Sequence, residues 1–164
     1  QLYQNPDALG NAWSVDSLIT VDTADELLIK LKDTDISKVA LSINNSIPSS
    51  ISKEYNSGDL VKIEKTKISS SHITYEFESL SDQLIVFSEI YYPSGWEVYV
   101  DDVKSEYFDV NYILRGMVVP SGFHKIDFYF SPSIVKTGIN IRIITIIITF
   151  SLIVYMVYKN NKWV

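Results

Sequence analysis

From position 60 to position 130 apolar and polar residues alternate with a period of two, the spacing of a strand with one buried face. "LVKIEKTKI" (60–68) alternates through Val61 and Ile63, and "HITYEFE" (72–78) through Ile73, Tyr75 and Phe77. "WEVYVDD" (96–102) puts Trp96, Val98 and Val100 on one side and Glu97, Tyr99 and Asp101 on the other. "FHKIDFYF" (123–130) lines up His124, Ile126, Phe128 and Phe130. "LIVFSEIYY" (84–92) is instead continuously apolar, the pattern of a central strand covered on both faces, and "YILRGMVV" (112–119) adds another strand. Short strands divided by turn signals predict an antiparallel β-sandwich, jelly-roll or immunoglobulin-like, and not a parallel sheet.

Upstream the pattern changes. Residues 10–21 read as an extended lead-in with Trp13 and Val15 on one face. Thr23 with Glu26 three residues later has the form of a capping box, and Ala24, Leu27, Leu28 and Leu31 recur at helical spacing. A short amphipathic helix over about 23–32 is predicted, then a strand at 38–43 and a polar, turn-rich loop at 44–59.

The tail breaks the alternation altogether. Residues 143–158, "IITIIITFSLIVYMVY", hold no charge, glycine or proline. Spanning a bilayer takes about 20 apolar residues, reached by extending back to Ile139 with the Arg142 guanidinium drawn out to the interface. Tyr158, Lys159, Lys162 and Trp163 form the aromatic and cationic mix that favours the headgroup layer. The chain therefore divides into a β-sandwich domain (1–138), a transmembrane helix (139–158) and a short tail (159–164), with Thr137-Gly138 as the hinge. The helix makes membrane lipid a partner and the cell membrane the location. Lysines and arginines flank both ends of the span, so charge bias leaves its orientation open.

Composition narrows the function. The chain has 164 residues, room for one domain with a proper core, and begins with Gln1, which reads as a processed product or a fragment. Its net charge of −6 conceals an asymmetry, −9 over residues 1–138 against +3 in the tail. An acidic domain excludes nucleic acid as a partner, because phosphate binding needs a basic face. Without cysteine there is no disulfide, thiolate nucleophile or cysteine metal site.

No catalytic, cofactor-binding or metal-binding residue emerges. His72 and His124 each open a predicted strand, without ligand partners at metal spacing. Asp101, Asp102 and Asp109 offer hard oxygens for calcium, but their spacing is not that of a calcium loop, and a hairpin turn accounts for them. Glu89 with Asp101 is a conceivable acid pair for glycoside hydrolysis, a weak signal in a chain with twenty acids. Aromatics are the remaining candidates. Trp96 belongs with the core, and Tyr92 before Pro93 is held extended ahead of a Pro93-Ser94-Gly95 bend. Tyr91, Tyr99 and Tyr129 alternate away from the core and are the candidate glycan contacts. Arg115 and His124 read as scaffold residues, Arg115 paired with an acid such as Glu89 or Asp109 and His124 bonded through one ring nitrogen to a backbone carbonyl.

One longer string carries a resemblance. Ser88-Glu89, Tyr91-Tyr92-Pro93, Gly95-Trp96, Asn111-Tyr112, Leu114-Arg115-Gly116 and Val119 to His124 together resemble the C-terminal extracytoplasmic region of YfhO-type bacterial membrane proteins. "NPDALGNAWSV" (5–15) resembles the segment leading into it. Two positions depart from the pattern: Ser94 is an insertion, and Asp102 stands where glycine is usual, which predicts a turn wider than two residues. The resemblance implies a polytopic parent similar to membrane-embedded glycosyltransferases that use lipid-linked sugars and modify envelope polymers such as lipoteichoic acid. The rest of that parent and cell-envelope glycan are then the expected partners. It also implies that residues 1–138 lie outside the cell and Lys159 and Lys162 inside. The catalytic carboxylate of that class lies upstream of anything here, so none is carried over. Two functions stay open: a non-catalytic accessory module that contacts glycan, or a purely structural cap.

Overall fold

The structure, a computed structural model, describes residues 8–48 and 51–161. It divides into two units, the first ending at Phe130 and the second starting at Ser131.

The first unit runs β1 (Ala12–Val15), β2 (Ser17–Val21), α1 (Ala24–Leu31), β3 (Val39–Ile43), β4 (Leu60–Ile68), β5 (His72–Ser79), β6 (Gln83–Ile90), β7 (Trp96–Val100), β8 (Val103–Ser105), β9 (Phe108–Val110), β10 (Leu114–Val119) and β11 (Gly122–Phe130). An antiparallel sheet ordered β1-β6-β10-β9 packs on a second, ordered β4-β5-β11-β7-β8. This is the expected β-sandwich. Its core holds Tyr75, Phe77, Ile85, Phe87, Met117, Ile126 and Phe128, the inward residues of both sheets. Phe87 meets Tyr75 and Phe128 edge to face, with centroids 4.9 and 5.1 Å apart. That arrangement is the favoured one for aromatic pairs.

The apolar run in β6 has a direct cause. Ile85 and Phe87 enter the main core, while Leu84 and Val86 enter a second cluster with Val15, Leu18, Ala40, Phe108 and Val110. What covers that second face is a β2-α1-β3 unit whose two strands pair in parallel, Leu18 opposite Ala40 and Ile19 opposite Leu41. This parallel pair departs from the purely antiparallel expectation. It arises because α1 forms the crossover, and parallel neighbours require one. The helix starts as its pattern predicts: the Thr23 hydroxyl accepts from the Glu26 amide at 3.2 Å, and the Glu26 carboxylate accepts from the Asp22 amide at 3.2 Å. Leu27 is its buried anchor, against Val21 and Leu41.

Two local expectations are corrected. The pairing of β4 with β5 shifts register between Leu60 and Lys62, a bulge that turns Val61 out to solvent and leaves Leu60 and Ile63 against the core. The turn after β7 is tight, not wide. Val100 pairs with Val103, and Asp101 and Asp102 both take positive φ, 49° and 66°. Two such residues are what a two-residue type I′ hairpin needs, and aspartate tolerates that region better than most residues.

The second unit is α2, a helix over Ser133–Asn161. It begins just after Pro132, whose fixed φ suits a helix start, and passes unbroken through Thr137-Gly138. Those two residues are therefore helical and not a hinge. Thr137–Asn160 is long and apolar enough to cross a membrane. At about 1.5 Å per residue, a helix of 24 residues exceeds the hydrocarbon thickness of about 30 Å. The Thr145 and Thr149 hydroxyls donate to the carbonyls of Ile141 and Thr145, both at 2.9 Å, which satisfies two polar groups inside the span. Lys162 and Trp163, half of the expected interfacial anchor, lie outside the described residues.

Candidate functional site on the outer sheet face

β11 lies between β5 and β7, and period-two geometry sends Ile126 and Phe128 into the core while Lys125, Asp127 and Tyr129 face the other way. Register then decides the neighbours. Tyr129 stands opposite His72 on one side and Glu97 on the other, and Asp127 opposite Thr74 and Tyr99. The rings of Tyr129 and His72 stack at 4.2 Å with 19° between planes, and Tyr99 meets Tyr129 edge to face at 5.7 Å. Lys104 and Glu97 form an ion pair at 2.7 Å at one margin.

Under the rings sits a buried carboxylate. Asp127 takes a hydrogen bond from the Thr74 hydroxyl and contacts His72 Nε2, both at 2.7 Å, and pairs with Lys125 Nζ at 2.8 Å. Burial pushes its pKa up, but the bonds from Lys125, Thr74 and His72 outweigh that and hold it below the usual aspartate value. The network locks the His72 ring beneath Tyr129. The face therefore presents the half-buried Tyr99 beside the exposed Tyr129, flanked by charged hydrogen-bonding groups. That chemistry suits a sugar ring, with an apolar face and equatorial hydroxyls.

Of the three candidate tyrosines the structure brings together Tyr99 and Tyr129. Tyr91 is elsewhere, half-buried and edge-on to Tyr107 at 5.3 Å, with its hydroxyl pKa raised mainly by burial. The strand ends at Ile90, so alternation no longer governs the next residue. Glu89 and Asp101 are not a pair: Glu89 lies on β6 and bonds Lys65 at 2.7 Å, and Asp101 lies in the hairpin turn of the other sheet. Asp109 sits on β9, away from Asp101 and Asp102. Among the described residues no three His, Asp or Glu side chains converge as a metal site would require.

Arg115 corrects its expected pairing. It is buried, 2% exposed, and among the described residues no acid forms an ion pair with it; the nearby Glu89 carboxylate is bonded to Lys65 instead. The Arg115 Nε donates to the Ile90 carbonyl at 2.9 Å, and the guanidinium lies 4.6 Å from the Trp96 ring, 5.0 Å from Phe128 and 5.8 Å from Tyr107. Aromatic faces supply the negative potential that a carboxylate otherwise would. Burial lowers its pKa, and nearby Tyr107 and Glu89 oppose that. Tyr107, its hydroxyl pKa pushed up to about 12 by burial, donates to the Trp96 carbonyl at 3.1 Å. Trp96 is thus scaffold. His124 does contact a backbone carbonyl, Ser121 at 3.2 Å, and also the Asp101 carboxylate at 2.6 Å.

A family model described as "Bacterial membrane protein YfhO" matches residues 4–142, most of the chain. The chain belongs to the YfhO family of bacterial membrane proteins. The match spans the whole sandwich and reaches the first part of α2, ending at residue 142. No curated protein and no solved structure matches it.

Proposed function

We propose that this region is a non-catalytic accessory domain of a polytopic YfhO-type protein that glycosylates cell-envelope polymers, and that its outer sheet face contacts glycan. In this reading residues 1–138 lie on the extracytoplasmic side, residues 139–158 cross the membrane, and residues 159–164 are cytoplasmic. Family membership supports a membrane protein; the observation that carries the glycan contact is the pairing of Tyr99 and Tyr129 on an uncovered face with charged margins. The test is titration of the full chain in detergent with lipoteichoic acid and other envelope polysaccharides, wild type against Tyr99→Ala. Saturable binding weakened in Tyr99→Ala is expected, without turnover. Binding equal in both proteins, or none in either, removes the glycan role.

A second reading, a structural cap without glycan contact, rests on a specific observation. One face of Tyr129 is already covered by His72, and Tyr91 is drawn into a different cluster.

A further inference from the structure

The two ends of the sandwich differ in charge. At one end, the connections Ser69 to Ser71, Tyr91 to Gly95 and Asn111 to Ile113 and the exit at Ser131-Pro132 hold no charged residue; the acid Glu106 lies beside them in the β8–β9 link, near Pro93. They lie together: the Phe130 amide donates to the Ser71 carbonyl at 2.9 Å, the Tyr91 amide to the Ile113 carbonyl at 2.7 Å, and the Tyr92 and Phe130 rings face each other at 6.5 Å. The same end exposes Ile68, Ile90, Tyr92, Tyr112, Ile113 and Phe130. At the other end the connections carry Asp59, Asp82, Asp101 and Asp102. Apolar residues are exposed there too, Leu80 and Phe123 among them, but between carboxylates.

One residue of the uncharged end is displayed at a cost. Tyr112 has φ of 76°, in the left-handed region that bulky side chains avoid, and is 48% exposed. Its neighbour Asn111 is pinned to β3, donating from its amide to the Leu41 carbonyl at 2.7 Å and accepting from the Leu41 amide at 2.9 Å. Strain held in place by surrounding bonds, for a ring that faces solvent, points to a contact outside the domain.

We infer that this uncharged end rests in the headgroup layer of the lipid bilayer, with Tyr92 and Tyr112 as interfacial anchors beside the aliphatic side chains. The occupant follows from the covalent chain: six residues separate Phe130 from Thr137, where the apolar span begins. Whatever the angle between the two units, so short a link tethers Phe130 close to the membrane surface. Tyrosine favours that layer, and loops without charge enter it without losing hydration of an ion. The inference rests on family membership and the apolar helix, and is independent of glycan binding.

The chain has no cysteine, so single cysteines place a polarity-sensitive fluorophore at will. The full chain is reconstituted in phosphatidylcholine nanodiscs with a label at Tyr92, Ile113 or, at the acidic end, Leu80 or Val103. Blue-shifted emission, quenched by lipids brominated near the headgroup, is expected at 92 and 113, and aqueous emission at 80 and 103. Aqueous emission at all four positions overturns the inference. Blue-shifted emission at 92 and 113 that persists in lipid-free amphipol, or that vanishes on adding salt, also overturns it, by showing a protein contact or an electrostatic one. Tyr112→Gly relieves the strain, so its thermal midpoint should equal or exceed that of wild type while the label at 113 shifts toward water. A lower midpoint would make Tyr112 a packing residue and count against the anchor.

Discussion

Two imidazole–carboxylate pairs sit on the same five-stranded sheet, and they differ chiefly in burial. His72 meets Asp127 at 2.7 Å and His124 meets Asp101 at 2.6 Å. The histidines are similarly covered, yet the Asp127 side chain is 2% exposed and that of Asp101 51%. Asp127 cannot be left without its donors, because an unpaired buried charge is costly, whereas water can replace every partner of Asp101. The first pair is a structural floor beneath Tyr129. The second is a clasp across a hairpin turn, where Asp101 also accepts from the Lys125 amide at 2.9 Å.

Matched substitutions break the comparison if it is wrong. Asp127→Asn keeps shape and removes the charge that Lys125, Thr74 and His72 share; a loss of about 2–3 kcal/mol is expected. Asp101→Asn keeps an acceptor and tolerance of positive φ, and should cost less than about 1 kcal/mol because solvent screens the pair. Urea unfolding of the full chain in a fixed detergent, followed by tryptophan fluorescence, measures both. Equal losses would show that burial does not separate the pairs.

The pH profile sharpens the same contrast. The hydrogen bond from Asp101 raises the His124 pKa above 6.5, with burial opposing and the Ser121 carbonyl assisting. A raised pKa means stability that is complete below 6.5 and lost as pH rises through the folded value. Asp127 is depressed below 3.8, so its contribution is complete above 3.8 and lost as pH falls through the lower folded value. Stability should therefore drop as pH rises above 6.5 through the clasp. Asp101→Asn should flatten that slope, and Asp127→Asn should leave it unchanged. A slope above pH 6.5 that survives Asp101→Asn would assign it to another group.

The sandwich itself was readable because most strands bury one face, and β6 because it buries two. The parallel β2–β3 pair was not, since both strands are five residues long and alternation does not specify a strand's partner. The outward placement of Tyr99 and Tyr129 follows from alternation; the stacking of His72 on Tyr129 needed the register. Tyr91 lies away from that face because the strand ends at Ile90, beyond which alternation no longer sets a side chain's direction. Arg115 was read as needing a carboxylate, when Trp96, Phe128 and Tyr107 surround it with ring faces that no local pattern reveals.

The hairpin turn yields the smallest effect and separates the clasp from its backbone. The usual glycine after an aspartate in this turn is absent, yet Val100 and Val103 remain paired across two residues. Asp102 therefore accepts φ of 66° because the strands demand the tight turn, not because its side chain favours it. The bonds of the clasp, to the His124 ring and from the Lys125 amide, are made by Asp101. Asp102→Gly should thus stabilise the protein by about 0.5 kcal/mol, relief of the left-handed conformation exceeding the added freedom of the unfolded chain. The slope above pH 6.5 should be untouched, because the Asp101 carboxylate keeps its place beside His124. If Asp102→Gly lowers the urea midpoint or flattens the pH profile, Asp102 is part of the clasp, and the division between a buried floor and a solvent-screened single-aspartate clasp fails.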